Sequence, residues 1–108
     1  MAAGRFRHRV EIGRYVGDQD QWGDPAPKQW EHVATVWAAV EALTGRLFFE
    51  ARQTAEQSDH QVTIRYRKGI EPGMILRHDG RELVIQAVLD REGTRRWLQL
   101  ICREVKPA

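Results

Sequence analysis

The chain has 108 residues, 42% of them hydrophobic, with 17 basic side chains against 15 acidic ones and a formal net charge of +2. That length fits a single domain with one modest core, and the regular alternation of apolar residues excludes a disordered chain. The near balance of charge excludes tight duplex binding by a monomer; no run is long enough to span a bilayer as a helix, and charges spread through the first twelve residues leave no apolar centre for a signal peptide.

Along the chain, Phe6, His8, Val10 and Ile12 alternate with Arg7, Arg9, Glu11 and Gly13, as in a strand with one half-buried face. Residues 16–29 follow with two glycines, two prolines and three aspartates, the composition of a loop. Trp22 stands inside that polar stretch and has two readings: an anchor for a partner surface, or a lid over one end of the fold. In the next strand Val33, Thr35, Trp37 and Ala39 alternate with Ala34, Val36, Ala38 and Val40. Both parities are apolar, so this strand is expected to be covered on two sides or to lie at a subunit contact. Trp37 and Trp97 both sit on strand parities and read as core or interface anchors.

The period then changes. Thr44 suits the cap of a helix in an inserted segment at about 42–59, with Leu47, Phe48, Ala51 and Ala55 on one stripe and Phe49 off it. Alternation returns at 60–67, where Val62, Ile64 and Tyr66 share one face and Gln61, Thr63, Arg65 and Arg67 the other. Pro72-Gly73 makes a corner before a short strand at 74–77, and Asp79-Gly80 makes a two-residue hairpin turn. A strand at 81–89 alternates Leu83, Ile85 and Ala87 against Glu82, Val84, Gln86 and Val88, and a last strand covers 97–105. Five or six short strands with one helix inserted after the second predict a mainly β fold, a small antiparallel barrel or sandwich, as one domain over 1–108.

Cys102 is the one cysteine, so no disulfide and no multi-thiolate metal site is expected; it reads as a buried small hydrophobe. His8, His32, His60 and His78 have no metal-ligand spacing. A phosphate loop, a nucleophile elbow and an HExxH helix are missing, and Glu50 and Glu56 are too far apart on a helix to act as a pair. The expectation is a protein that is not an enzyme and takes no metal or cofactor.

The stretches "AGRFRHRVEIGR", "VWAAVEALTGRLFFEA", "HQVTIRYRKGIEPGMILRHDGRELVIQAVLD" and "LQLICREV", in that order over nearly the whole chain, resemble the phage head-tail joining proteins. These are the head-closure, stopper or adaptor components of long-tailed phage connectors, and similar proteins occur in prophages and gene transfer agents. The resemblance implies a small β-barrel with a helix between its second and third strands. It implies a ring, usually a dodecamer, beneath the portal and adaptor and above the tail-side proteins. Such a ring extends or closes the channel for packaged DNA, gives the tail a docking surface, and assembles in the host cytoplasm into the virion. In relatives the segment corresponding to 42–59 projects toward the channel, which marks Arg46, Phe49 and Arg52. Trp22 and the Arg65/Arg67 face complete the candidate interface or channel residues. For that face three occupants remain: a subunit interface, solvent, or sliding DNA held by non-specific phosphate attraction. The isolated chain is expected to be monomeric, with no membrane association. The alternative, from another class, is a small OB-like nucleic-acid-binding module, against which Tyr66 shares its parity with the core residues Val62 and Ile64.

Overall fold

The computed structural model describes residues 6–17, 29–45, 49, 52, 58–90 and 93–105. Six strands follow in chain order: β1 (His8–Val16), β2 (Gln29–Ala42), β3 (His60–Arg65), β4 (Ile75–His78), β5 (Arg81–Leu89) and β6 (Trp97–Val105). They close into a barrel in the order β1-β2-β3-β6-β5-β4, with every pair antiparallel. Closure runs through Glu11 opposite Arg77, Ile12 opposite Leu76 and Gly13 opposite Ile75. A closed barrel has no free strand edge, which decides between the two expected architectures. The expected loop at 16–29 falls on 18–28, outside the described residues. Of the expected helix at 42–59, only 42–45, Phe49, Arg52, Ser58 and Asp59 are described, so the helix itself lies outside them.

The inward parity of each strand fills the barrel. Val10 and Ile12 of β1, Ala38 of β2, Val62 and Ile64 of β3, Leu76 of β4, Leu83 and Ile85 of β5, and Leu98, Leu100 and Cys102 of β6 form one buried cluster. Each Val, Leu or Ile so buried contributes about 1.5–3 kcal/mol relative to exposure. The Cys102 thiol belongs to this core, donates to the Leu100 carbonyl at 3.4 Å, and has its pKa pushed well up by burial. Tyr66 packs against the same cluster, as its parity predicts.

Two bulges re-aim the outward faces. The β1–β2 register shifts after Ile12, where Ile12 faces Ala34 and Gly13 faces His32, leaving Val33 as the extra residue. A Cβ on Gly13 would run into the Glu31 carbonyl and the Trp30 ring, so the bulge needs glycine there. The β5–β6 register shifts at Gln86. Val88 therefore joins the inner cluster and Ala87 turns outward, the reverse of unbroken alternation. The β4–β5 hairpin closes as the sequence predicts: His78 faces Arg81, and Asp79 and Gly80 have φ of 51° and 75°, the positive pair a type I′ turn requires. The Pro72-Gly73 corner is closed by the Met74 amide donating to the Glu71 carbonyl at 3.3 Å.

A second apolar cluster sits outside the barrel, with Leu43 and Ile101 buried against Ala87 and Leu89. The two ends of the inserted segment meet there. The Leu43 amide donates to the Asp59 carbonyl at 2.9 Å, the Asp59 amide donates to the Cys102 carbonyl at 2.9 Å, and the buried Ser58 hydroxyl donates to Gln86 Oε1 at 3.1 Å. This cover corrects one expectation. Gln61 and Thr63 are not on an open face: they are 5% and 2% exposed. Gln61 lies between Glu41 and Ile101, and Thr63 between Ala39 and Gln99, inside the covered outer patch. The outer surface of β3 opens only at Arg65.

Candidate functional site

At that opening the registers bring four side chains into one row across four strands. Arg9 faces Trp37 in the β1–β2 ladder, Ala38 faces Ile64 in the β2–β3 ladder, and Arg65 faces Trp97 in the β3–β6 ladder. The β2–β3 register places Trp37 beside Arg65, so arginine and indole alternate: Arg9, Trp37, Arg65, Trp97. The Arg9 guanidinium lies 5.0 Å from the Trp37 ring centroid and the Arg65 guanidinium 5.6 Å from that of Trp97. Both distances are within the range of cation–π attraction, worth about 0.5–1 kcal/mol each at an exposed site. Phe6 stacks on Trp97 at 4.8 Å with the rings 10° from parallel. Together with Thr35 these residues line a surface cleft of about 550 Å³. Trp37 is 53% exposed, a large indole held on the surface by a rigid strand. Such a residue in a rimmed cleft is the usual anchor of a macromolecular contact.

A second polar cluster, on the β1–β4–β5 side, differs in being self-satisfied. The Arg77 guanidinium lies 3.8 Å from the Trp30 ring centroid and donates to the Tyr15 hydroxyl at 2.7 Å and to the Glu82 carboxylate at 3.2 Å. Tyr15 also donates to Glu82 and meets the Trp30 ring edge-on at 5.3 Å. The hydrogen bond to Tyr15, with smaller help from Glu82, pushes the Arg77 pKa further up, so it stays a cation. This cluster braces the strand seam. At the same end of β4, His8 Nδ1 and His78 Nε2 are 3.1 Å apart with the rings perpendicular. Burial, then the neighbouring His8, lowers the His78 pKa from its ordinary value.

Among the sequence-predicted site residues, Arg65 lies in the row. Arg67 is exposed two residues beyond the end of β3 and does not line the cleft. Phe49 is 69% exposed, and Arg52 donates from Nε to the Ser58 carbonyl at 3.3 Å. Neither lines the cleft. Trp22 and Arg46 lie outside the described residues. Arg9 and Phe6 are additions. Their parity was legible, but their proximity to Trp37 and Trp97 needs the strand register, which the sequence does not carry on its face.

The fold and this face define a small closed β-barrel that carries one exposed arginine–indole row. The family model of phage head completion proteins matches residues 1–105, and the chain belongs to that family. It is thus a structural virion protein with a non-enzymatic role. Among solved structures, the chain is similar to protein SF1141 from Shigella flexneri 2a, with 27% identity, a TM-score of 0.75 and 100% of both chains covered. It also shares its fold with a chain of the virion of a native gene transfer agent particle, with 20% identity, a TM-score of 0.65, and 94% of this chain and 96% of that one covered. No curated protein sequence matches it significantly.

Proposed function

We propose that the protein is a head-tail connector component. It forms a ring below the portal and adaptor, extends or closes the channel for packaged DNA, and gives the tail its docking surface. The observation that carries this reading is the Arg9–Trp37–Arg65–Trp97 row, an exposed anchor face across four strands of a rigid barrel, in a member of the head completion family. A lateral face of that kind suits a neighbouring subunit, since interface centres are enriched in tryptophan and arginine. The net charge of +2 suits a channel in which DNA slides, because a strongly cationic lumen would hold it. In this reading Arg65 and Trp22 meet protein neighbours, and Arg46, Phe49, Arg52 and Arg67 face the channel or an adjacent ring. The isolated chain is monomeric, since one closed barrel buries its own core and leaves no strand edge to pair.

The OB-like reading has a specific observation against it. Modules that bind single strands stack bases on open aromatic faces. Here Trp97 is stacked by Phe6 and neighboured by Arg65, and Arg9 lies over Trp37, so each indole already has a partner of the chain's own.

Deleting the gene from its parent particle and counting products by electron microscopy tests the proposal. DNA-filled heads without tails, or heads that have lost their DNA, are expected, with rescue by the intact gene. Normal tailed particles in the deletion would overturn it.

A further inference from the structure

We infer that the Arg–Trp cleft docks an acidic segment of a different protein of the particle. An apolar side chain of that segment seats against Trp37, and its carboxylates meet Arg9 and Arg65. The inference deepens the connector reading and rests on it for its setting.

The first support is the state of the arginines. Arg14, Arg77 and Arg81 lie against Glu31, Glu82 and Glu104 at 3.5, 3.2 and 3.7 Å. Arg9 and Arg65 are exposed and have indole rings in place of carboxylates, and no acidic residue lines their cleft among the described residues. A ring face attracts the cation without taking up its N–H donors. The two guanidinium groups therefore offer bidentate donors on either side of Trp37, an exposed apolar seat. Their complement is an uncharged side chain flanked by carboxylates.

The second support is what adjoins the cleft. Arg9 and Thr35 also line a neighbouring cleft of about 660 Å³, which continues past Glu11 and Asp79. A nucleic-acid strand carries a phosphate about every 3.4 Å, so one that left the row past Arg9 would run onto those carboxylates. A polypeptide carries acids only where its sequence puts them and can cross the same surface. The described part of a second copy has little acid to offer. Its exposed carboxylates are Glu11, Glu31, Glu71 and Asp79. Glu11 and Asp79 belong to the neighbouring cleft and Glu31 pairs with Arg14, which leaves Glu71. Arg9 and Arg65 stand two strand spacings apart, roughly 10 Å, and each lies on its own indole, so a single carboxylate does not answer both. The match points to another protein.

Two measurements test it. In the first, the isotope-labelled full chain is titrated with the end-blocked peptide Gly-Asp-Leu-Asp-Gly, and the indole N–H signals of Trp37 and Trp97 are followed by NMR. Both signals are expected to shift saturably, with affinity that weakens as salt rises. Arg9→Glu with Arg65→Glu is expected to weaken binding at least about tenfold, and the peptide Gly-Lys-Leu-Lys-Gly is expected to leave both signals in place. No shift at millimolar acidic peptide, or equal shifts with the basic one, would overturn the inference. So would a thymidine oligonucleotide that shifts both indoles while the acidic peptide does not, since the cleft would then be a phosphate site. In the second, a photo-reactive benzophenone side chain is placed at Thr35, an exposed residue of the cleft, and tailed particles are irradiated. Mass spectrometry is expected to find the adduct on another particle protein, in a segment with more acidic than basic residues. An adduct on a second copy of this chain, on DNA or on a basic segment, or no adduct at all, would overturn the inference. Failure of both measurements beside tailless deletion particles sinks the acidic partner and leaves the connector reading standing.

Discussion

The Asp59 carboxylate accepts a hydrogen bond from the Glu104 amide at 2.9 Å, across 45 residues of chain. The same oxygen accepts from His60 Nδ1 at 2.7 Å. With the two backbone bonds Asp59 makes to Leu43 and Cys102, this residue fastens the end of the inserted segment to β6. Asp59→Ala leaves a strand amide without its acceptor and is expected to destabilise the fold by about 1–3 kcal/mol. Asp59→Asn, which keeps one acceptor oxygen, is expected to lose less. Urea denaturation read by tryptophan fluorescence measures both; an unshifted midpoint for Asp59→Ala would show that the segment's end is held by its backbone alone.

Thr63 supplies a prediction of opposite sign. Its side chain is 2% exposed and its Oγ1 is buried with no hydrogen-bond partner among the described residues. A desolvated hydroxyl without a partner costs about 1–3 kcal/mol, and valine has nearly the same shape. Thr63→Val is expected to raise stability by about 1 kcal/mol, seen as a higher thermal midpoint. A lowered midpoint would mean that the hydroxyl is satisfied.

The inner wall of the barrel was legible in the sequence because period-2 alternation at His8–Ile12, Val62–Ile64 and Leu98–Cys102 maps directly onto side-chain direction. The Asp79-Gly80 turn was legible because few residue pairs tolerate two positive φ values. The bulges at Val33 and Gln86 were not: one extra residue leaves no mark in composition, yet it sends Ala87 outward and Val88 inward. The burial of Gln61 and Thr63 was hidden for another reason. It depends on Ile101 and on Leu43, which arrive from distant parts of the chain. At the candidate site, Trp37 and Trp97 were marked as anchors by type and parity, and Arg65 by its place on an outward face. Arg9 was missed because its relation to Trp37 exists only once Ile12 is set opposite Ala34.

Stability is expected to depend on pH through His78. Its folded-state pKa is lowered, first by burial, then by His8 and Arg81, with Asp79 acting the other way. The sign follows from linkage. As pH falls below the ordinary histidine value of about 6.5, the unfolded chain takes up a proton that folded His78 resists, so stability declines until the lowered folded pKa is passed. Above that ordinary value the contribution is fully present. His78→Gln is expected to flatten the decline between about pH 6.5 and pH 5 in a series of urea melts. An identical slope in wild type and variant would assign the pH dependence to other groups.

The last prediction separates the surface row from the core. Trp37→Ala and Arg65→Glu remove exposed side chains whose intramolecular attractions are worth about 0.5–1 kcal/mol each, so both variants are expected to fold with nearly native urea midpoints. Leu100→Ala, by contrast, opens a cavity in the barrel and is expected to cost about 2–5 kcal/mol. Particle formation is expected to invert that order of severity relative to stability. Trp37→Ala and Arg65→Glu should lower the yield of DNA-filled, tailed particles at least about tenfold in a complementation assay, because a missing anchor and a reversed charge act at every contact around a closed ring. Normal yield from both row variants would move the functional surface to the inserted segment, where Arg46→Glu with Arg52→Glu becomes the pair to test.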